Sequence, residues 1–290
     1  MSSSTLRPEV VENHGWIGAE FLDVPASPAQ STSEQLLPVS PDEVSALYRE
    51  VFEALQVPRR LSGPRRVRRG AFEIASEIFP VGYFSGDFVS VFDAGDAIFF
   101  ALGDIAGKGL TAAMWFTHVM GLVRTYSASV VSPEGVLAAV NRDLCALGSG
   151  VPLTTMVLAR LDWRRGQLMY SNGGHFVPFI HRANGQIEQL SVGGPILGAL
   201  PQARFEGASL EFSPTDILVG YSDGLIECRN ANDEEFGMDR LLDAVRRSAK
   251  LCGGEALFSI VGAAQDFAAG TPRSDDMTLM IVAGAEANRE

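Results

Sequence analysis

The sequence predicts an α+β fold in which antiparallel strands are layered with helices. Three observations lead to this prediction. Patterns typical of strands occur in groups that form hairpins, and patterns typical of helices occur in pairs between these groups. The chain has neither a repeat period nor a regular βα alternation. A doubly wound parallel sheet requires that alternation, so it is not expected.

Composition restricts the functional class. The chain has 290 residues, 46% of them hydrophobic and 20% charged, as in ordinary globular proteins. A formal net charge of −12 argues against nucleic-acid binding. The sequence contains neither a signal peptide nor an apolar run of about 20 residues, so no membrane span is expected. Cys145, Cys228 and Cys252 lack metal-ligand spacing and fit reduced thiols, which favours a cytoplasmic protein.

The first part of the chain divides into a tail and a connector. Residues 1–39 are rich in Ser, Pro, Glu and Gln and are expected to be disordered. Ser40, Pro41 and Glu43 form a capping box that predicts a helix as far as Leu55. Residues 40–70 therefore form a linker helix and a basic connector. The connector arginines are interpreted as solvated or salt-bridged, with a phosphate-binding patch as the alternative.

The main domain is predicted to span residues 71–285. Its predicted elements are, in order, a strand over Ala71–Ile78, a hairpin within 84–110, helices from Leu110 and over Ser132–Leu147, hairpins over 154–171 and 176–190, strands at 210–212 and 216–221, helices near 238–250 and 254–269, and a closing strand over Met277–Val282.

The hairpin within residues 84–110 brings two aspartates together. Apolar strands flank a turn composition that contains Gly95 and Asp96. With the turn centred there, Asp87 pairs with Asp104. Two carboxylates opposite each other repel, and a cation between them removes the repulsion.

A second group of acids stands at other strand ends. Asp223 follows one predicted strand, and Asp275 and Asp276 precede another. If these strands are antiparallel neighbours, their acids share one end of a sheet, and two packed sheets would bring both groups to one site. Because every donor is oxygen, Mg²⁺ or Mn²⁺ is favoured over Zn²⁺, and so many carboxylates suggest two ions. The alternative is that each acid caps a turn or a strand end.

Other interpretations of the motifs are weaker. Residues 103–108 resemble a phosphate loop, but the glycine spacing and Gly109 after Lys108 do not match a Walker A motif. His175 has no Ser or Cys in a nucleophile-elbow context and is interpreted as a hydrogen-bonding turn residue. His118 is interpreted as a packed or surface residue.

Five short motifs resemble, in order, those of the PPM-type metal-dependent serine/threonine phosphatases, most closely the bacterial branch typified by stage II sporulation protein E. The resemblance covers about residues 45–285 and includes a Gly-x-x-Leu-Gly segment at 194–198. The motifs are Phe84-Ser85-Gly86-Asp87-Phe88, Leu102-Gly103-Asp104-Ile105-Ala106-Gly107-Lys108-Gly109, Ser171-Asn172-Gly173-Gly174-His175, Tyr221-Ser222-Asp223-Gly224-Leu225-Ile226-Glu227 and Ser274-Asp275-Asp276-Met277-Thr278-Leu279.

The resemblance implies a four-layer α/β/β/α sandwich of two antiparallel sheets with two Mn²⁺ or Mg²⁺ ions between them. It also implies that a metal-activated hydroxide attacks phosphoserine phosphorus without a phospho-enzyme. Asp104 would bridge both ions, and Asp276 stands where the family accepts Asp or Asn. The implied catalytic residues are Asp87, Asp104, Asp223 and Asp275; the implied metal ligands are the same four with Asp276 and the Ile105 carbonyl.

The resemblance also implies a partner and exposes two departures. Substrates in this branch are typically phosphorylated anti-anti-sigma (STAS) proteins, and the Ser40–Leu55 helix stands where the family has a regulatory linker, which suggests dimerisation or partner control. Ser85 and Ser90 replace an expected Gly and Asp, which could alter metal affinity. Two alternatives stay open: a catalytically weak, partner-switching scaffold, and a phosphatase for small phosphates.

Overall fold

The computed structural model describes residues 40–82 and 85–286. Residues 1–39, which are predicted to be disordered, lie outside the described residues, so that prediction is not tested. Tyr83 and Phe84 lie outside them as well. The chain divides into two compact units, Met1–Ala46 and Leu47–Glu290. The three-part division drawn from the sequence stays a prediction.

Among its described residues, the larger unit contains two six-stranded sheets, both essentially antiparallel. Of the described strands, only the two-residue β9 runs parallel to its partner, β6. The first sheet has the order β1 (Arg66–Arg69), β2 (Phe72–Phe79), β12 (Met277–Gly284), β11 (Ile217–Tyr221), β7 (Phe179–His181), β8 (Ile187–Gln189). The second has the order β10 (Ala208–Glu211), β6 (Gln167–Gly173), β5 (Thr154–Asp162), β4 (Ala97–Ile105), β3 (Asp87–Ala94), with β9 (Gly193–Gly194) beside β6.

The helices agree closely with those predicted, apart from the short α2 and α5. The capping box before α1 forms as predicted: the Ser40 N–H donates to Glu43 at 2.9 Å, and the Glu43 N–H donates to the Ser40 hydroxyl at 3.2 Å. No helix within residues 40–82 and 85–286 is long and apolar enough to cross a membrane. The helices are α1 (Pro41–Ala54), α2 (Gln56–Ser62), α3 (Gly109–Ser127), α4 (Pro133–Ala146), α5 (Asp223–Ile226), α6 (Gly237–Arg247) and α7 (Gly253–Ala268).

Three hydrophobic cores separate four layers. Phe100 and Leu102 of β4 pack between the sheets, whereas their neighbours Phe99 and Ala101 pack against α3 and α4. Leu279 and Ile281 of β12 face a third core, which α6 and α7 cover. A strand buried on both faces needs apolar residues at every position, so β4 and β12 are continuous apolar runs. The predicted α+β sandwich is confirmed.

The basic connector is more structured than the sequence analysis predicted. Arg66 begins an edge strand, β1, although the first strand was predicted at Ala71. Val67 points into the core between the arginines, and this single apolar position is too weak a signal to predict a strand. Four of the connector arginines pair with acids, as the salt-bridge interpretation predicted, whereas Arg59 and Arg60 form no ion pair with a described residue. The pairs are Arg65–Glu77, Arg66–Glu73, Arg68–Glu73 and Arg69–Asp93.

Glu73 connects the edge strand to a helix. Its side chain is fully buried and accepts hydrogen bonds from Arg66 Nε at 2.5 Å, Arg68 Nε at 2.7 Å and the Gly254 N–H of α7 at 2.8 Å. Burial by itself raises the pKa of Glu73, but the hydrogen bonds from the two arginines and from Gly254 outweigh burial and lower the pKa to about 2. The ionised carboxylate therefore stabilises the folded state.

We expect Glu73→Gln to lower the free energy of unfolding at pH 7 by about 2 to 3 kcal/mol, because charge-assisted hydrogen bonds to a buried group are lost. A depressed folded-state pKa gives stability that is present above the unfolded pKa, near 4.5, and is lost as the pH falls towards 2. Urea denaturation between pH 7 and pH 2 measures this.

The matched control is Glu77→Gln on the same strand, whose partner Arg65 is more than half exposed. We expect this control to cost less than about 1 kcal/mol. Equal losses in the two variants, or parallel pH profiles for wild type and Glu73→Gln, would contradict the stabilising role of Glu73.

Candidate metal centre

The acids singled out in the sequence line one cavity of about 390 Å³. The cavity lies where β3 begins, β4 and β11 end, and β12 begins, so it draws on both sheets. The lining includes all six residues predicted as ligands: Asp87, Asp104, Ile105, Asp223, Asp275 and Asp276. The two groups of acids, far apart in the chain, thus meet at one site.

The first pair stands in the predicted register, with Asp87 directly opposite Asp104. Asp87 is buried, whereas Asp104 is exposed at the cavity. Across the sheets, the Thr278 hydroxyl of β12 donates to Asp87 Oδ2 at 2.6 Å. The backbone N–H of Asp104 donates to the Thr155 hydroxyl of β5 at 3.2 Å. Threonines on other strands thus contact the carboxylate of Asp87 and the backbone of Asp104.

Burial and neighbouring acids raise the pKa values of Asp87 and Asp104. Burial is the largest cause for Asp87, and together with the nearby charges of Asp104 and Asp223 it raises the pKa to about 7 against the lowering effect of the Ser222 and Thr278 hydroxyls. Although Asp104 has surface exposed at the cavity, the surrounding protein partly desolvates its carboxylate, which raises its pKa, and the charges of Asp223 and Asp275 raise it further. Ionising the whole cluster is therefore unfavourable without a cation.

Asp223 and Asp275 lie on the other side of the cavity. Asp223 Oδ1 accepts the N–H of Gly224 at 2.8 Å, and Asp275 Oδ1 accepts the N–H of Asp276 at 2.9 Å. A Cβ on residue 224 would lie 2.0 Å from the Asp276 carbonyl oxygen. Glycine is thus required after Asp223 so that the two segments can lie side by side.

Asp276 has different partners from the other four acids. Its Oδ1 accepts the N–H of Val81 at 2.7 Å, and its Oδ2 accepts the N–H of Gly86 at 3.1 Å. Both carboxylate oxygens therefore tie the segment before β3 to the start of β12. The sequence analysis counted Asp276 among the metal ligands and did not predict these contacts.

The donor chemistry fits an oxygen-ligated divalent cation. A Cβ built on Gly86 would lie 2.7 Å from Asp104 Oδ1, 3.1 Å from the Ile105 carbonyl oxygen and 3.3 Å from the Gly107 carbonyl oxygen, so three oxygens converge beside the cavity. Among the described residues, no His or Cys lines the cavity. Mg²⁺ and Mn²⁺ prefer such oxygen donors.

Within the described residues, the acidic side chains do not form a compact metal-binding group. Across residues 40–82 and 85–286, no three His, Cys, Asp or Glu side chains are close enough to form a metal-binding group. The charges of neighbouring acids contribute to the raised pKa values of Asp87 and Asp104, so a bound cation would favour the ionised form of both carboxylates.

His175 lies behind the cavity, not in its lining. It is buried, its N–H donates to Asn172 Oδ1 at 2.8 Å, and its Nδ1 is 2.9 Å from the Thr155 hydroxyl. Burial lowers the pKa of His175 to about 4, so the ring is neutral at pH 7. The interpretation of His175 as a hydrogen-bonding turn residue agrees with this geometry. Thr155 links it to the backbone of Asp104.

Ser85 and Ser90, the two differences from the family motif, form no hydrogen bond with the acids of the cavity. Ser90 is buried three residues beyond Asp87, where a strand turns its side chain to the opposite face. Its hydroxyl donates to the Leu61 carbonyl at the end of α2 at 2.6 Å, and Arg124 donates to the same oxygen at 2.8 Å. Neither Ser85 nor Ser90 lines the carboxylate cavity. The sequence analysis considered that Ser90 could alter metal affinity. No direct contact between Ser90 and the acids of the cavity supports that effect.

Comparison with known proteins agrees with this geometry. The family model described as Stage II sporulation protein E (SpoIIE) matches residues 94–283. Protein IcfG from Synechocystis is 28% identical over 203 residues, which is 60% of this chain but only 32% of IcfG. The phosphoserine phosphatase RsbU from Bacillus subtilis is 23% identical over 236 residues, 80% of this chain and 69% of RsbU.

Solved structures show the same fold. The SiaA PP2C domain of Pseudomonas aeruginosa superposes with a TM-score of 0.68 at 16% identity, covering 82% of this chain and 97% of that domain. A structure of Bacillus subtilis SpoIIE with its PP2C domain and part of its regulatory domain gives a TM-score of 0.60 at 19% identity, covering 75% of this chain and 64% of that one.

We expect Thr278→Val to weaken Mn²⁺ binding about tenfold, because Asp87 loses the hydroxyl that orients it and outer-shell partners of metal ligands typically have effects of this size. Valine has nearly the shape of threonine, so the buried site keeps its packing. Isothermal titration calorimetry with Mn²⁺ measures the change.

Thr278→Ser is the matched control, since it keeps the hydroxyl and removes only a methyl group. We expect its Mn²⁺ affinity to stay within about threefold of wild type. An unchanged affinity in Thr278→Val would show that the contact with Asp87 does not orient a metal ligand.

Proposed function

The chain belongs to the stage II sporulation protein E family of PP2C-type protein serine/threonine phosphatases, and we propose that it removes phosphate from phosphoserine on a regulatory protein in a metal-dependent reaction. The observation that carries this proposal is the meeting of five carboxylates and the Ile105 carbonyl in one cavity built by both sheets. An all-oxygen site at the surface suits hydrolysis of a phosphomonoester.

We assign the residues in that cavity to two roles. Asp87, Asp104, Asp223 and Asp275, with the Ile105 carbonyl, would hold two Mn²⁺ or Mg²⁺ ions. Bound divalent ions supply charge that polarises phosphoryl oxygens and lowers the pKa of water. Asp276 is better suited to positioning the backbone beside the cavity than to binding a metal ion, since both of its carboxylate oxygens already accept hydrogen bonds from backbone N–H groups.

The protein itself supplies orientation around these acids. Thr278 fixes the carboxylate of Asp87 from the opposite sheet, and Thr155 fixes the backbone of Asp104. Asp104 is the more exposed of that pair and faces the cavity, where it could contact both ions. The exposed cavity admits a phosphoserine side chain from a protein surface.

The relatives support an inference about the substrate class. RsbU is named a phosphoserine phosphatase, and a structure of RsbU and RsbW domains from Mycobacterium tuberculosis has the same fold. We infer that the substrate is a phosphorylated anti-anti-sigma factor of the STAS type and that the protein acts in the cytoplasm. Dephosphorylation of candidate STAS proteins from the same cell tests this inference directly.

The alternative function is a partner-switching scaffold that uses the fold without efficient catalysis. The spacing of the carboxylates, which do not form a compact metal group within the described part of the chain, is the observation that keeps this alternative. The presence of every principal acid in one cavity favours catalysis.

We expect Mn²⁺-dependent hydrolysis of a phosphoserine protein and of p-nitrophenyl phosphate. Asp104→Asn and Asp223→Asn should each lower kcat/KM at least about a hundredfold, because each removes a charged metal ligand. Asp243→Asn, an exposed acid paired with Arg246 on α6, is the matched surface control and should keep full activity. Wild-type turnover no higher than that of the two cavity variants would favour the scaffold.

We also propose that the Ser40–Leu55 helix mediates dimerisation or partner control. Leu47 and Phe52 on α1 are 61% and 59% exposed, so two large apolar side chains of this helix are available to a partner. Removing residues 1–55 while keeping α2 should convert a dimer to a monomer or change the activity. Light scattering after gel filtration and a phosphatase assay measure both, and a truncated protein unchanged in both would contradict the proposal.

A further inference from the structure

We propose that Lys108 binds the phosphoryl group of the substrate at the carboxylate cavity. This inference rests on the proposed phosphatase function and adds a substrate-binding residue to it. Among the described residues, Lys108 is the only basic one that lines the cavity. Its side chain is exposed, and within residues 40–82 and 85–286 it forms no ion pair.

Nearby cations are already engaged. Arg273 lies two residues before Asp275, but its guanidinium donates to the carbonyls of Phe79 and Pro80 at 3.0 and 3.5 Å. Arg65 pairs with Glu77 on β2. In the described part of the chain, Lys108 is thus the basic residue that lines the carboxylate cavity itself.

The backbone holds Lys108 beside the oxygen donors. Gly107, whose carbonyl is one of the three oxygens converging near Gly86, directly precedes it. Gly107 and Gly109 have φ angles of 124° and 72°, which only glycine adopts readily, and Lys108 between them is extended with φ −133°. The segment leaves β4 and starts α3 within four residues. The position of Lys108 is therefore set by two structural elements.

The charges of the site require such a residue. Five carboxylates opposed by two divalent ions would leave one negative charge in the cavity. A phosphomonoester carries a charge of about −1.5 to −2 at neutral pH, so it would be repelled. The ammonium group of Lys108 cancels the remaining negative charge of the cavity. It can also donate hydrogen bonds to phosphoryl oxygens that the metal ions do not contact.

The test measures binding of inorganic phosphate, the product, to the Mg²⁺-saturated full chain by isothermal titration calorimetry. We expect Lys108→Gln to weaken phosphate binding about tenfold or more, and Lys108→Arg to stay within about threefold of wild type. In kinetic assays, Lys108→Gln should raise KM more than it lowers kcat. Lys108 is exposed, so thermal denaturation should be unchanged.

Lys250→Gln is the matched control, because it removes the same charge from an exposed residue outside the cavity lining. It should bind phosphate as wild type does. Equal phosphate affinity in wild type and Lys108→Gln overturns the inference, as does an equal loss in Lys250→Gln, which would reveal only a net-charge effect.

The same measurements separate this inference from the proposed function. Phosphate binding that depends on Lys108, in a protein without Mn²⁺-dependent hydrolysis, supports the role of Lys108 and contradicts the phosphatase function. Hydrolysis by wild type together with unchanged phosphate affinity in Lys108→Gln contradicts the role of Lys108 alone.

Discussion

Electrostatic repulsion among carboxylates at one end of the two sheets is the constraint around which this protein is built. Burial and neighbouring charges raise the pKa values of Asp87 and Asp104, so the acids oppose their own ionisation. A fold that gathers them must obtain its stability elsewhere. The three hydrophobic cores provide it, because apolar side chains fill both faces of the central strands.

The cores also determine where the acids stand. β4 and β12 cannot shift by one residue without exchanging their two buried faces, so their register is firmly set. That register places Asp87 opposite Asp104 and brings Thr278 within 2.6 Å of Asp87 across the sheets. The strands thus hold the first carboxylates, and Val81, Gly86, Gly107 and Lys108 complete the lining from the adjoining backbone.

Much of this arrangement could be predicted from the sequence. The turn composition at Gly95 and Asp96 led to the correct hairpin register, and the acids beside the later strands pointed to the same end of a sheet. Other features could not be predicted, because their causes are contacts between distant segments. Arg66 of the edge strand donates to Glu73, which also accepts a hydrogen bond from the N-terminus of α7. Ser90 donates to a carbonyl at the end of α2 and does not line the cavity.

Local features of the sequence were sufficient for most of the elements, the first hairpin register and the oxygen-only character of the candidate site, since these depend on periodicity, turn chemistry and residue type. The differences among the acids came from the tertiary structure. Asp276 uses both oxygens on backbone N–H groups, Asp87 is held by Thr278, and Lys108 alone among the described basic residues lines the cavity. These distinctions arise from the packing of one sheet on the other, which brings together residues nearly 200 positions apart, and no local pattern encodes it.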